Sequence, residues 1–252
     1  MTRDQVVVRG RSIIGAAVGI AVLAGCTSTV DGSAARREPV TTVRDLATVL
    51  PSSAEVTRAV GNPLPESGSA AIGGIDMLPN GIQDNSGATP IECLGPATPF
   101  MRVVYQGGDV RRVGWQEFSN VGSGQAVSSV DAGVVEFASD TEAQRLFADF
   151  AARWKSCEGT TVRSTLPGPA NTELYQKITD VRVDGPLVSA TVINSDNQGD
   201  AAFPIERAIG LAADCVIDVD AAVTGGTPAQ QRASGRAVSI VRTMQDKVNL
   251  GR

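Results

Sequence analysis

The side chains with chemistry to offer in these 252 residues are four thiols, Cys26, Cys93, Cys157 and Cys215, and the carboxylates, because the chain has no histidine. Without an imidazole there is no Ser-His-Asp or Cys-His nucleophile, no His-ligated zinc and no histidine pH switch. A serine activated by a lysine three residues on is also excluded. The three lysines, Lys155, Lys177 and Lys247, stand three residues after Ala152, Leu174 and Met244. Acid–base work by carboxylates alone needs a facing pair, and none stands out from the 27 Asp and Glu. Gly122-Ser123-Gly124 lacks the Lys-Ser/Thr of a phosphate loop. The polar loop from Asn194 to Asp200 faintly echoes a calcium loop, but Ile205 stands where the bidentate Glu belongs. The expectation is therefore no catalytic residue, no metal and no cofactor: the chain is not an enzyme.

What remains is thiol chemistry, and Cys26 has a distinct setting. Residues 1–11 carry Arg3, Arg9 and Arg11 against Asp4, and Ser12 to Ala24 is an uncharged, mostly apolar run. Thirteen residues are too few for a transmembrane helix, which needs about 20, and suit a signal-peptide core. The run ends in Leu23-Ala24-Gly25-Cys26, which resembles a bacterial lipoprotein processing site. The resemblance implies cleavage before Cys26, alkylation of its thiol by a diacylglyceryl group and acylation of the new amine, palmitate included. Two or more chains give stable membrane anchoring where one is marginal. Cleavage removes three basic residues and one acidic one, which moves the formal net charge from −5 to about −7. So acidic a domain is a poor partner for nucleic acid or for anionic head groups, and the lipid must hold it at the membrane.

The elements that position the rest follow from periodicity. Residues 26–41 are small and polar and read as a tether; residues 42–250 read as one domain. Val43, Leu46, Ala47 and Leu50 predict a short helix that Pro51 ends. Ser52 and Glu55 form a capping box for a second helix, with Gly61 as its C-terminal cap. Asn62 to Pro90 is rich in Gly, Ser, Pro and Asn and reads as a long loop over a cleft, anchored by Ile72, Ile75, Met77, Leu78 and Ile82. Phe100–Tyr105 and Val110–Phe118 read as a hairpin through Gly107-Gly108, with Val113, Trp115 and Glu117 on one face of the second strand. Another strand covers Gly133–Phe137. Ser139 and Glu142 box the start of an amphipathic helix whose inner stripe is Ala143, Leu146, Phe147, Phe150, Ala151 and Trp154. Thr160–Ser164, Leu174–Ile178, Val181–Asp184, Leu187–Ile193, Pro204–Leu211 and Cys215–Val219 read as antiparallel strands. Alternation puts Cys215, Ile217 and Val219 on one face of the last, and Val216 and Asp218 on the other. A final helix is expected from a Thr227 cap, Pro228 and Gln230, burying Ala233, Ala237, Ile240, Val241, Met244 and Val248. The fold class expected is α+β: an antiparallel sheet with packed helices and a cleft.

With Cys26 lipidated, three cysteines remain, enough for one bridge beyond the membrane. The expected bridge is Cys157–Cys215, joining the end of the amphipathic helix to a strand; Cys93 is an alternative partner for either.

The order of motifs carries a wider resemblance. Asp45-Leu46 precedes Leu50-Pro51-Ser52; Glu92-Cys93 and Gly95 precede strands; Trp154-x-x-Cys157-x-Gly159 ends a helix. Glu206-Arg207-Ala208 and Val216-Ile217-Asp218-Val219 follow, then a last helix near Lys247-Val248. This resembles the PknH-like extracellular sensor domain of mycobacterial receptor kinases, which many stand-alone lipoproteins carry. The resemblance implies a single α+β domain, a cleft for an unidentified ligand and structural disulfides, usually more than one. Ile205 departs from it where a family cysteine is expected, and Cys215 is a substitute partner on that view. The function implied is a membrane-anchored sensor-type lipoprotein holding a small molecule or envelope component. Trp115, Glu117, Arg207 and Asp218 are the candidate lining residues, although Arg207 also reads as the structural partner of a carboxylate. The alternative is a cell-envelope module that binds a protein on a surface patch.

Overall fold

The computed structural model describes residues 44–120, 125–166, 172–225 and 234–251. Nine strands form one antiparallel sheet. They are β1 (Ala71–Gly73), β2 (Ala88–Thr89), β3 (Val110–Ser119), β4 (Ser129–Phe137), β5 (Thr161–Thr165), β6 (Glu173–Asp184), β7 (Leu187–Asp196), β8 (Phe203–Ala212) and β9 (Cys215–Ala222). Their order across the sheet is β1-β3-β4-β9-β8-β7-β6-β5-β2. The helices described are α1 (Leu46–Val49), α2 (Ser53–Val60), α3 (Leu94–Ala97), α4 (Arg102–Tyr105), α5 (Asp140–Ser156) and α6 (Arg236–Leu250).

Strand alternation sends successive side chains to opposite faces, and both faces are covered. On one, Val130, Val134, Ile217 and Val219 pack against Leu46, Val56, Val60, Ile240, Val241 and Met244 of α1, α2 and α6. On the other, Val113, Val135, Val188 and Val216 pack against Leu94, Tyr105, Phe147, Phe150 and Trp154 of α3, α4 and α5. The expected α+β fold is the one observed. Helix α2 has its capping box, Ser52 with Glu55, and its left-handed Gly61. Helix α5 runs from a Ser139 cap with the predicted stripe buried, Ala151 only partly. Its Glu142 carboxylate, however, takes the Asp109 N–H and Arg145 rather than closing a box.

Other expectations need correction. Phe100–Tyr105 is not a strand: Phe100 has φ 55°, and α4 follows at once. Two prolines, Pro96 and Pro99, stand just before this stretch, and Tyr105 is drawn inward to Asp218, so tertiary contacts override the β-branched composition. Gly108 then carries the chain from α4 into β3 closely past Phe137, where a Cβ would stand 2.8 Å from Cε1. The segments 174–178 and 181–184 are one strand, β6, whose register shifts between Thr179 and Arg182. The described part of the last helix begins at Arg236 after Gly235; Thr227 to Ala233 lie outside the described residues. The 62–90 segment supplies both edges of the sheet, since β1 pairs with β3 and β2 with β5. The chain between them spans the whole sheet and buries Leu78 against its α5 side, while Ile72 and Met77 stay exposed.

Candidate ligand-binding cleft

The strand register lines up side chains on the α5 face in two neighbouring rows. In one, Glu117 on β3 stands opposite Asp131 on β4, Asp131 opposite Asp220 on β9, and Asp220 opposite Arg207 on β8. In the other, Trp115, Gly133, Asp218 and Ile209 follow across the same strands. The four residues singled out from sequence therefore share one face, and the structure then separates them by depth.

Arg207 is 1% exposed. It pairs with Asp218 at 2.8 Å and donates to the carbonyls of Val219 and Gly95 at 3.0 Å and of Pro96 at 3.3 Å. Its guanidinium carbon lies 5.5 Å from the centre of the Trp154 ring. Asp218 also accepts the Tyr105 hydroxyl at 2.6 Å and the Phe100 N–H at 3.4 Å. Burial first, then Asp218, pushes the Tyr105 phenol well above its ordinary value, so it remains a donor. These two residues are the buried fastening of α3 and α4 to the sheet.

Trp115 and Glu117 are half-buried and open onto a cleft of about 400 Å³. Asp131 and Asp220 join them from the sheet, Gln176 and Ile205 line it further along, and Ala97–Met101 and Pro79 contribute from the crossing segments. Gln176 holds the crossing chain in place: its amide donates to the Ala97 carbonyl, and its oxygen accepts the Thr98 hydroxyl, both at 3.1 Å. Trp115 stacks on Phe100 with centroids 6.1 Å apart and planes 23° apart. Gly133 makes room for that pair, since a Cβ there would stand 2.7 Å from Phe100 Cε1 and 2.7 Å from Trp115 Cβ. The Trp115 Nε1 is buried without an acceptor among the described residues.

Asp131 and Asp220 are the residues that sequence reasoning missed. Burial first, then Asp220 and Glu117, raises Asp131 to about 7. Burial raises Asp220 to about 6 against the opposing pull of Arg207. Asp220, 9% exposed, accepts the Asp131 backbone N–H at 3.2 Å. Among the described residues neither carboxylate, nor that of Glu117, has an ion-pair partner, and Arg207 is committed to Asp218. A signal for them existed. Each aspartate interrupts a Val/Ala strand at inward parity, but which inward positions face one another depends on register.

Two other sites are accounted for by protein partners. Among the described residues, three possible metal-ligand atoms come within 4.8 Å of one another only at Glu136, Asp214 and Cys215. There Arg44 Nη1 already lies 3.3 Å from Glu136, 2.9 Å from Asp214 and 3.1 Å from the Cys215 sulfur. Arg112 grips Glu136 through two hydrogen bonds of 2.7 and 2.9 Å. Burial first, then Asp214, pushes the Cys215 thiol up, so it stays protonated and inert. A hollow of about 430 Å³ lies near Asp180, Arg182 and Ser234. Its buried acid, Glu206, accepts the N–H groups of Ser234 and Arg236 at the start of α6.

The bridge is Cys93–Cys157, not Cys157–Cys215. Cys215 points to the α6 face, into the core with Ile217 and Val219, whereas Cys157 at the end of α5 belongs to the other core. The sheet lies between them, so Cys215 is a buried free thiol and no substitute partner. Cys93 and Cys157 share a core, and their bridge ties α5 to the segment that Arg207 also holds.

A disulfide-stapled α+β domain, with helices on both faces of one antiparallel sheet, is of the kind found in oxidising compartments. The chain belongs to the family of PknH-like extracellular domains, whose model matches residues 41–247. It is similar in fold to the crystal structure of the extracellular domain of PknH from Mycobacterium tuberculosis. The two are 22% identical with a TM-score of 0.66, over 81% of this chain and 95% of that one. No curated protein matches.

Proposed function

We propose that this chain is a lipid-anchored, extracytoplasmic domain of the sensor type, without chemistry of its own, whose ligand occupies the cleft bounded by Trp115, Glu117, Asp131 and Asp220. One observation carries the reading. Among the described residues the carboxylates of that cleft have no ion-pair partner, and they stand beside a stacked aromatic pair. Uncompensated burial of such groups is costly, and a pocket of this size with few convergent polar groups is the usual form of a small-molecule site. Membership in a family of extracellular domains supports the location. The lipoprotein-type Leu23-Ala24-Gly25-Cys26 supports the anchor, through a diacylated Cys26 and the tether 26–41.

Native mass spectrometry of the protein purified from its own host tests the cleft. The expected result is a co-purified small molecule or envelope fragment that is lost in the Asp131→Asn/Asp220→Asn variant. Purification with a protein partner alone, unaffected by those substitutions, overturns the reading. The anchor is tested separately: Cys26→Ser should move the protein from the detergent phase to the aqueous phase, and unchanged partitioning would show that no lipid is attached there.

A further inference from the structure

We infer that the cleft selects a small organic cation, an ammonium carried on a flat or apolar body, over neutral and anionic molecules and over a bare metal ion. This deepens the reading of the cleft as the binding site and rests on it.

The charge count around the cleft is the first support. Glu117 faces it from β3, Asp131 from β4 and Asp220 from β9; Asp218 lies just beneath on β9, and Arg207 on β8. Tyr105 of α4 is neutral and bonded to Asp218. The other lining elements bring no charge: Gln176 comes from β6, and the Ala97–Met101 stretch has no ionisable side chain. Arg207 is matched by Asp218 at 2.8 Å. Among the described residues the three carboxylates therefore have no ion-pair partner of their own, only the more distant pull of Arg207, and an anion entering there would be repelled.

Burial is the second support. Asp220 is nine-tenths buried and lines the cleft, yet its hydrogen bonding from the described residues is a single backbone N–H. A carboxylate in such a place has lost most of its water and keeps acceptor capacity for a donor arriving from the cleft.

The aromatic wall and the spacing of the acids decide the kind of cation. Trp115 and Phe100 both line the cleft as a stacked pair, which offers aromatic, apolar contact to the body of an organic cation. The carboxylate oxygens of Glu117, Asp131 and Asp220 do not form a trio within 4.8 Å, unlike the Glu136, Asp214 and Cys215 group. They surround a volume rather than a point, and about 400 Å³ holds a small organic molecule with room to spare.

Proton linkage gives the site a signature. Asp131 and Asp220 are raised to about 7 and about 6. A cation prefers their ionised forms, so binding releases protons and affinity rises with pH through that window.

Isothermal titration calorimetry on the folded, disulfide-intact domain provides the test. The probes are phenethylamine, which is protonated at pH 8, its neutral counterpart 2-phenylethanol, and calcium chloride. The amine should bind at roughly millimolar strength, and the alcohol at least about tenfold more weakly. Amine affinity should fall roughly tenfold between pH 8 and pH 5, with proton release seen as a buffer-dependent heat near pH 7. Asp131→Asn and Glu117→Gln, the second at the half-buried rim where folding is not at stake, should each weaken the amine roughly threefold to tenfold. Equal affinity for amine and alcohol would overturn cation selectivity while leaving the cleft as a binding site. Calcium bound in preference to the amine would also overturn it, as would amine binding that ignores both substitutions. Binding of neither organic probe up to about 20 mM overturns it too; the cleft reading then stands or falls on the native mass spectrometry.

Discussion

Arg207 shows how a charged residue at a suggestive position is engaged by the protein's own groups. Each of its three guanidinium nitrogens is engaged within the protein, by Asp218 and the carbonyls of Gly95, Pro96 and Val219. Removing one member of a buried ion pair strands the other, so Arg207→Met should destabilise the fold by about 3–5 kcal/mol in urea unfolding. Adding Asp218→Asn should restore part of that loss; a double variant no more stable than Arg207→Met would show that the pair is not coupled. The cleft acids behave differently. Their folded-state values lie above the ordinary 3.8, so the native state binds more protons than the unfolded chain. The stability contributed by those protons is complete below about pH 4 and is lost as pH rises through 6 to 7. Asp131→Asn should therefore be more stable than the parent at pH 8, by on the order of 2 kcal/mol, with the difference shrinking toward pH 5. Parallel stability-versus-pH curves for the two proteins would remove the basis for treating Asp131 as an acid that folding keeps protonated.

At the scale of elements, the start of α6 is informative. Its N-cap, Gly235, sits at φ 77° and offers no side chain. The acceptor comes from the sheet instead. Glu206 on β8 takes the N–H groups of Ser234 and Arg236 at 2.9 and 2.6 Å, and the Arg236 guanidinium as well. This is the helix-dipole preference for an anion at the N-terminus, supplied from a residue 30 positions away in the chain. Glu206→Ala should cost about 3 kcal/mol and speed hydrogen exchange at the first turn of α6, while the amides of β9 remain protected. A uniform rise in exchange across the sheet would mean that Glu206 acts on the whole fold instead. The contrast with α2 is instructive. There the cap is local, Ser52 with Glu55, and adjacent sequence predicts it. Glu55 nevertheless has a second role, accepting Lys247 from α6 at 2.7 Å, which ties the first helices to the last.

At the scale of the molecule, the sheet acts as a partition, and the cysteines obey it. Closing a loop with a sequence separation of 64 residues should stabilise by roughly 4 kcal/mol on a chain-entropy estimate. Cys93→Ser or Cys157→Ser should lower the unfolding free energy by about that amount, whereas Cys215→Ser should leave the bridge intact, as mass mapping of a non-reduced digest would report. A Cys215-containing crosslink in the wild-type protein would contradict the partition. Much of this architecture was legible in the chain. Helix α5 was readable because its stripe repeats every 3.6 residues between a Ser cap and a glycine, and β9 because its alternation is strict. Phe100–Tyr105 was misread because valines and aromatics suit strands as readily as a short helix pinned by Tyr105. The cleft was half legible: Trp115 and Glu117 show inward parity on one strand, but Asp131 and Asp220 acquire meaning only across three. What the sequence by itself determined is local: parity, the α2 and α5 caps, the absence of imidazole chemistry, and the family. Strand order and register, and with them the disulfide partner, the burial of Arg207 and the convergence of Glu117, Asp131 and Asp220, were decided by tertiary structure alone, because each depends on contacts between residues far apart in the chain.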